Sequence, residues 1–197
     1  MSFVTGSDMP RPTGPSVKLT YDDFVHFPDD GKRHELIDGE HYVTPSPNTK
    51  HQSIVMNLTG HIWSFLREHP LGTVFAAPFD VVFSDFDVVE PDVLFISEAR
   101  RKVLTAKNIQ GAPDLVVEVG SPGTRRRDEV IKHQLYERFG VSEYWVVDPD
   151  LDAIKVYRLA DGRYTRVSEL TLRDGDVLTT PLLPGLELPL AELFAEP

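Results

Sequence analysis

The sequence contains no cysteine. Disulfides, thiolate nucleophiles and zinc–thiolate sites are therefore excluded. No apolar run approaches the roughly 20 residues of a membrane span. The opening segment, MSFVTGSDMPRPTGPSVK, lacks the apolar core of a signal peptide. The absence of thiols, spans and leader together predicts a cytoplasmic protein with no membrane partner. Basic residues are scarce, 20 Lys and Arg against 31 Asp and Glu, for a formal net charge of −11. That balance excludes coating of nucleic acid by bulk charge, though not a local basic patch. Several catalytic motifs are missing as well. Gly120-Ser121-Pro122-Gly123 is not GxSxG, and there is no GxGxxG or Walker-type loop. His34-Glu35 begins like HExxH, but Asp38 holds the second histidine position. No zinc protease follows.

What is present suits one soluble domain. The 197 residues are 41% hydrophobic and 26% charged, enough for a full core. Residues 1–16, rich in Pro, Gly and Ser, read as a loose arm, and residues 17–197 as a single domain.

The chain is organised around residues 111–149, GAPDLVVEVGSPGTRRRDEVIKHQLYERFGVSEYWVVDP. Residues 114–119 are a short apolar strand with Glu118 set inside it. Ser121-Pro122-Gly123 breaks the chain. Residues 124–139 have helical spacing, with Ile131, Leu135 and Phe139 at steps of four. Gly140 sits where glycine favours the end of a helix. Residues 144–147, YWVV, form a second strand, and such a βαβ unit is right-handed with parallel strands.

On either side the pattern is mixed. Thr20 opens a short helix with Asp23 in the capping-box position. Residues 33–37 and 40–44 flank Asp38-Gly39, a type I′ hairpin signal. Residues 48–69 form the longest helix, with an apolar stripe of Ile54, Val55, Leu58, Ile62, Phe65 and Leu66 that His51 joins. Residues 72–83 and 88–97 read as two strands, with Pro78 and Pro91 marking edges or bulges. Residues 98–107 read as a short helix and loop. A hairpin follows at Asp161-Gly162, then a strand over 176–180 and a closing helix over 189–194. The fold class is α/β (α+β), a mixed sheet with flanking helices and extra hairpins at both ends.

Glu118 is out of place. A strand covered by a helix is apolar on both faces. An unpaired carboxylate there costs several kcal/mol, so a metal, a partner cation or a raised pKa must compensate. The strand 88–97 repeats the anomaly. Alternation puts Glu90, Asp92 and Leu94 on one face, and in the later strand Asp114, Val116 and Glu118 on another. If those strands are neighbours, Asp92 and Glu118 approach within metal-bridging distance, and a hard cation such as Mg²⁺ accepts such ligands. Asp128, Lys132 and Tyr136 fall at steps of four on the following helix. Lys132 is either a cation for that site or half of a surface pair with Asp128. Glu35 is a third acid or an exposed strand residue. His51 is a site residue or a helix-start histidine. Arg125-Arg126-Arg127 opposes the helix dipole in a first turn. It is a weak candidate for DNA contact, or a solvated helix start.

Five segments in order carry a resemblance: RHELIDGE, NTKHQSIV, APFDVVFSDFDVVEPDVLFIS, the 111–149 stretch and PLLPGLEL. Together they resemble the bacterial "putative restriction endonuclease" family, long catalogued as a domain of unknown function, in the PD-(D/E)XK nuclease superfamily. The resemblance spans residues 19–194. It implies a restriction-endonuclease-like fold and metal-dependent DNA cleavage with Mg²⁺ or Mn²⁺, with a homodimer presenting two sites to a duplex. Carried over by position, Asp92 is the first metal-binding acid and Glu118 the second. The lysine position two residues after Glu118 is Gly120, so the resemblance shifts that role to Lys132 on the helix. Glu35 becomes the N-terminal acid, and His51 and Tyr136 match recurrent positions without an assigned step. Asp114 and Asp128 are possible supporting residues. The rival expectations are a nuclease-fold module that binds DNA or protein without cutting, and a purely structural domain.

Overall fold

The computed structural model describes residues 17–44, 46–120 and 127–196; at residues 127–129 the backbone alone is described. The predicted N-terminal arm, Ser121-Pro122-Gly123, Arg125 and Arg126 lie outside the described residues, as do the side chains of Arg127 and Asp128.

Local signals in the sequence set most of the elements. Helix α1 (Tyr21–Phe24) starts at Thr20, where both halves of the capping box form. Strands β1 (Arg33–Ile37) and β2 (Glu40–Thr44) pair in register, Glu35 opposite Tyr42. Their turn has φ of 52° at Asp38 and 75° at Gly39, the two positive values a type I′ turn requires. Helix α2 (Thr49–Glu68) begins at Asn48, whose side chain accepts the His51 N–H at 2.9 Å. It buries Ile54, Val55, Leu58, Ile62 and Leu66 together with His51. No helix among the described residues is long and apolar enough to cross a membrane.

The next hairpin departs from the sequence reading. Residues 72–83 are two strands, β3 (Gly72–Ala76) and β4 (Val81–Ser84), and residues 88–97 are β5 (Asp87–Val89) and β6 (Val93–Ser97). β3 pairs with β6, and β4 with β5, in different sheets. The ribbon leaves one sheet and enters the other near Pro78 and Pro91. Proline has no N–H to give a ladder, so both residues mark the place where pairing can change partners.

Strand β7 (Ile109–Gln110) runs parallel to β4. Then comes the expected βαβ unit: β8 (Leu115–Val119), a π-helical turn over Arg127–Lys132, α3 (His133–Phe139) and β9 (Glu143–Asp148), with β8 and β9 parallel. Gly140 ends α3 at φ 78°. Strands β10 (Ala153–Ala160) and β11 (Arg163–Thr171) form the second hairpin. Short strands β12 (Val177–Leu178) and β13 (Leu188–Pro189) precede helix α4 (Leu190–Leu193).

The sheets have five strands in the order β2-β1-β5-β4-β7, six in the order β11-β10-β9-β8-β6-β3, and two, β12-β13. Alternation divides the six-stranded sheet between two cores. Val93, Phe95, Leu115, Val117, Trp145 and Val147 pack under α2 and the C-terminal segment. Leu94, Ile96, Val116, Tyr144 and Val146 face the other way, against α3 and the five-stranded sheet. By parity Asp92 and Glu118 lie on this second face. Glu35 has the parity of Ile37, which belongs to the same second core. Three acids thus converge on the layer between the two large sheets.

Candidate functional site

Strand register brings the first two acids together. β6 and β8 are antiparallel neighbours with Val93 opposite Val117. Continuing that register by one residue sets Asp92 opposite Glu118. Asp92 is 3% exposed, as is Glu118, and Glu35 is 1% exposed.

Each acid is compensated by name. Asp92 Oδ1 accepts a hydrogen bond from Arg33 Nη1 at 2.7 Å. Its Oδ2 accepts the Val119 N–H at 2.8 Å and lies 3.2 Å from His51 Nε2. Burial pushes the Asp92 carboxyl up. The His51 contact, the Arg33 charge and the Val119 N–H outweigh it and bring the pKa down to about 2. Asp92 is therefore an anion at neutral pH, and His51 Nε2 donates to it. Glu118 Oε1 accepts from Lys132 Nζ at 2.8 Å and from the Tyr136 hydroxyl at 2.6 Å. Burial, and then the charge of Glu118, push the Tyr136 hydroxyl well above the usual tyrosine range, so it remains a donor.

Lys132 joins the two sheets. Its Nζ is 2.8 Å from Glu118 Oε1 and also 2.8 Å from Glu35 Oε1. At 2% exposure it is a buried residue, not a surface one. The π turn over Arg127–Lys132 immediately precedes α3, and such wide turns recur at functional sites. Glu35 Oε1 also accepts the Glu90 N–H at 3.1 Å.

The structure therefore brings together Glu35, His51, Asp92, Glu118, Lys132 and Tyr136. It does not bring Asp114 to them. Asp114 precedes the far end of β8, where it accepts the Ser97 N–H at 2.7 Å and meets Arg100 at 3.2 Å, a structural brace.

Sequence reasoning missed Arg33 and Glu90, which line the cleft beside Asp92. Arg33 has the parity of Glu35 on β1, which was the available signal. Burial, and then the Asp80 charge, push the Glu90 carboxyl up to about 7, while Arg33 opposes the shift. Burial also raises Asp80. A cleft of about 400 Å³ opens onto Asp92 and Arg33, lined also by Lys32, His51, Gln52 and Glu90.

The donor set fits a hard divalent cation of modest demands. Four acids, Glu35, Glu90, Asp92 and Glu118, meet two fixed cations, Arg33 and Lys132. Buried His51 Nδ1 has no hydrogen-bond partner among the described residues. No group of three His, Asp or Glu side chains suited to a metal is gathered among those residues. Mg²⁺ seldom needs one, because it is commonly held by one or two carboxylates plus water and substrate phosphate. Asp92 and Glu118 supply such a pair.

A solved structure described as a putative nuclease belonging to DUF820, from Anabaena variabilis ATCC 29413, shares the fold with a TM-score of 0.75. It is 22% identical, and the match covers 89% of this chain and 97% of that one. No curated protein shows significant similarity. The sequence model of the family Uma2, described as "Putative restriction endonuclease", matches residues 21–191, and the chain belongs to that family.

Proposed function

We propose that this protein is a metal-dependent endonuclease that hydrolyses DNA phosphodiester bonds. One observation carries the reading: a buried ammonium, Lys132, is clamped at 2.8 Å by Glu118 of one sheet and Glu35 of the other, next to the buried Asp92. A core built for stability alone does better with apolar residues of similar volume. Family membership supports the same class.

Hydrolysis joins a water oxygen to phosphorus and breaks one ester P–O bond, with no covalent enzyme intermediate. Asp92 and Glu118 would hold Mg²⁺ or Mn²⁺, which would supply Lewis-acid charge and activate the attacking water. Lys132, held between two carboxylates, donates hydrogen bonds and does not take a proton. It orients the attacking water and offsets charge on the phosphoryl oxygens. Glu35 fixes the ammonium from the second sheet. Tyr136 holds Glu118 in one rotamer, and His51 does the same for Asp92. Arg125, Arg126 and Arg127, whose side chains lie outside the described residues, are candidates for DNA contact. The enzyme works as a single domain over residues 17–197, in the cytoplasm, as a homodimer that presents one site to each strand. Asp92→Ala is expected to abolish Mg²⁺-dependent nicking of supercoiled plasmid. Retained nicking by that variant rules the assignment out.

A second reading has its own support. Asp92 and Glu118 already have protein partners in Arg33, Lys132, His51 and Tyr136, and the net charge is −11. A nuclease-fold module that binds DNA or protein without cutting is compatible with both facts. It predicts wild-type protein that neither binds Mn²⁺ nor cuts.

A further inference from the structure

Arg33 is placed differently from the other cations of the site. Lys132 is sealed between two acids, whereas the Arg33 side chain is 22% exposed and lines the cleft. A guanidinium carries five N–H donors in a planar fork. Here Nη1 alone is engaged, with Asp92 Oδ1, and Nη2 and Nε donate to no described residue. Burial lowers the Arg33 pKa, yet Asp92, Glu118 and Glu35 more than restore it, so the charge is permanent. Arg33 is the first residue of β1, opposite Thr44 across the hairpin. The result is a cation bound to the first acid at the cleft, with donors that no described residue uses.

The lining says what those donors would meet. Among the described residues around the cleft there is no Phe, Tyr or Trp on which a base could stack. A planar fork of donors matches two oxygens of a phosphate. We infer that Arg33 is the phosphate-binding residue of the cleft, taking a backbone phosphodiester on the donors that Asp92 leaves unused. This rests on the nuclease reading and adds to it a substrate contact that is indifferent to base sequence. Arg33 touches substrate and Asp92 at once, so it sets the distance between the phosphate and the first acid.

The test is binding of short fluorescein-labelled DNA duplexes of two unrelated sequences, by anisotropy across a salt series. Calcium replaces the reactive metal in one series, and a chelator is present in another. Arg33→Ala is expected to weaken binding about tenfold on both sequences and to reduce the salt slope by about 0.9, the loss of one phosphate contact. Arg33→Lys keeps the charge, so the slope stays while affinity falls several-fold through loss of the fork. Mn²⁺ titration separates this role from a merely structural one. With the competing charge gone from Asp92, Arg33→Ala is expected to bind Mn²⁺ more tightly than wild type. If Arg33→Ala fails to fold, the Arg33→Lys series decides alone, and unchanged affinity overturns the inference. Wild type that binds and cuts DNA while both variants match it overturns the role of Arg33 and leaves the nuclease reading standing. Wild type that neither binds nor cuts DNA overturns both.

Discussion

Replacing Lys132 by methionine keeps the stem and removes the charge. Its ammonium lies 2.8 Å from Glu35 Oε1 and 2.8 Å from Glu118 Oε1. At an effective dielectric of about 20, each such contact is worth roughly 6 kcal/mol of Coulomb attraction before desolvation and carboxylate repulsion are subtracted. Removing one partner of a buried pair has a net cost of about 3–5 kcal/mol. The two acids have one escape, which is to share a proton. From an ordinary glutamate pKa, binding that proton costs about 5 kcal/mol at pH 8 and about 1 kcal/mol at pH 5. Lys132→Met is therefore expected to lose about 3–5 kcal/mol at pH 8 and only about 1–2 kcal/mol at pH 5. The sign follows from linkage. In the variant the folded state binds a proton that the unfolded state releases, so its stability falls as pH rises. Urea unfolding at the two pH values measures the gap directly. An equal loss at both, or a loss under about 1 kcal/mol at pH 8, refutes the clamp.

Three further predictions concern neighbouring groups. Asp92 titrates near 2 in the fold against an ordinary 3.8, a contribution of about 2 kcal/mol, present above pH 3.8 and lost as pH falls through about 2. Asp92→Asn should remove it and flatten that acid limb in chemical unfolding. Glu90 has the opposite sign. With its pKa raised from 4.5 to about 7, wild-type stability should decline as pH rises across that interval, and Glu90→Gln should flatten the decline in a series of unfolding midpoints. The glycines of the α2–β3 region should also diverge. A Cβ at Gly60 meets nothing within 4 Å, so Gly60→Ala should stabilise the exposed helix by about 1 kcal/mol. A Cβ at Gly72 would lie 2.1 Å from the Ile96 carbonyl oxygen and 2.8 Å from Ser97 Cα, so Gly72→Ala should cost about 3 kcal/mol or more. Calorimetric melting of both variants checks the pair.

Where one residue's chemistry dictates its backbone, the sequence was readable. Asp38-Gly39 specified its turn, Asn48 began α2 and Gly140 ended α3. The buried acids were also legible, because period-two alternation in an apolar strand makes a carboxylate conspicuous. What alternation cannot report is which sheet a strand joins. Residues 72–83 and 88–97 each looked like one strand, but the ladder changes sheet near Pro78 and Pro91. The same limit hid the meeting of Glu35 with Lys132, a contact between sheets that local spacing does not encode. The step-of-four reading of Asp128, Lys132 and Tyr136 assumed α geometry, whereas Lys132 closes a π turn. Arg33 was overlooked because an arginine at a strand start is ordinary until its partner is known to be a buried aspartate. Glu143 was also invisible: it is 1% exposed and satisfied by Trp145, Arg158 and Thr180 from later parts of the chain.

Asp92 and Glu118 are proposed to hold a divalent ion for phosphodiester hydrolysis. The most direct measurement is calorimetric titration of Mn²⁺ into wild type and Glu118→Ala, with plasmid nicking followed on the same samples. The account predicts saturable binding and nicking in wild type and the loss of both in the variant. Wild type that binds no Mn²⁺, or a Glu118→Ala protein that still nicks, would contradict it.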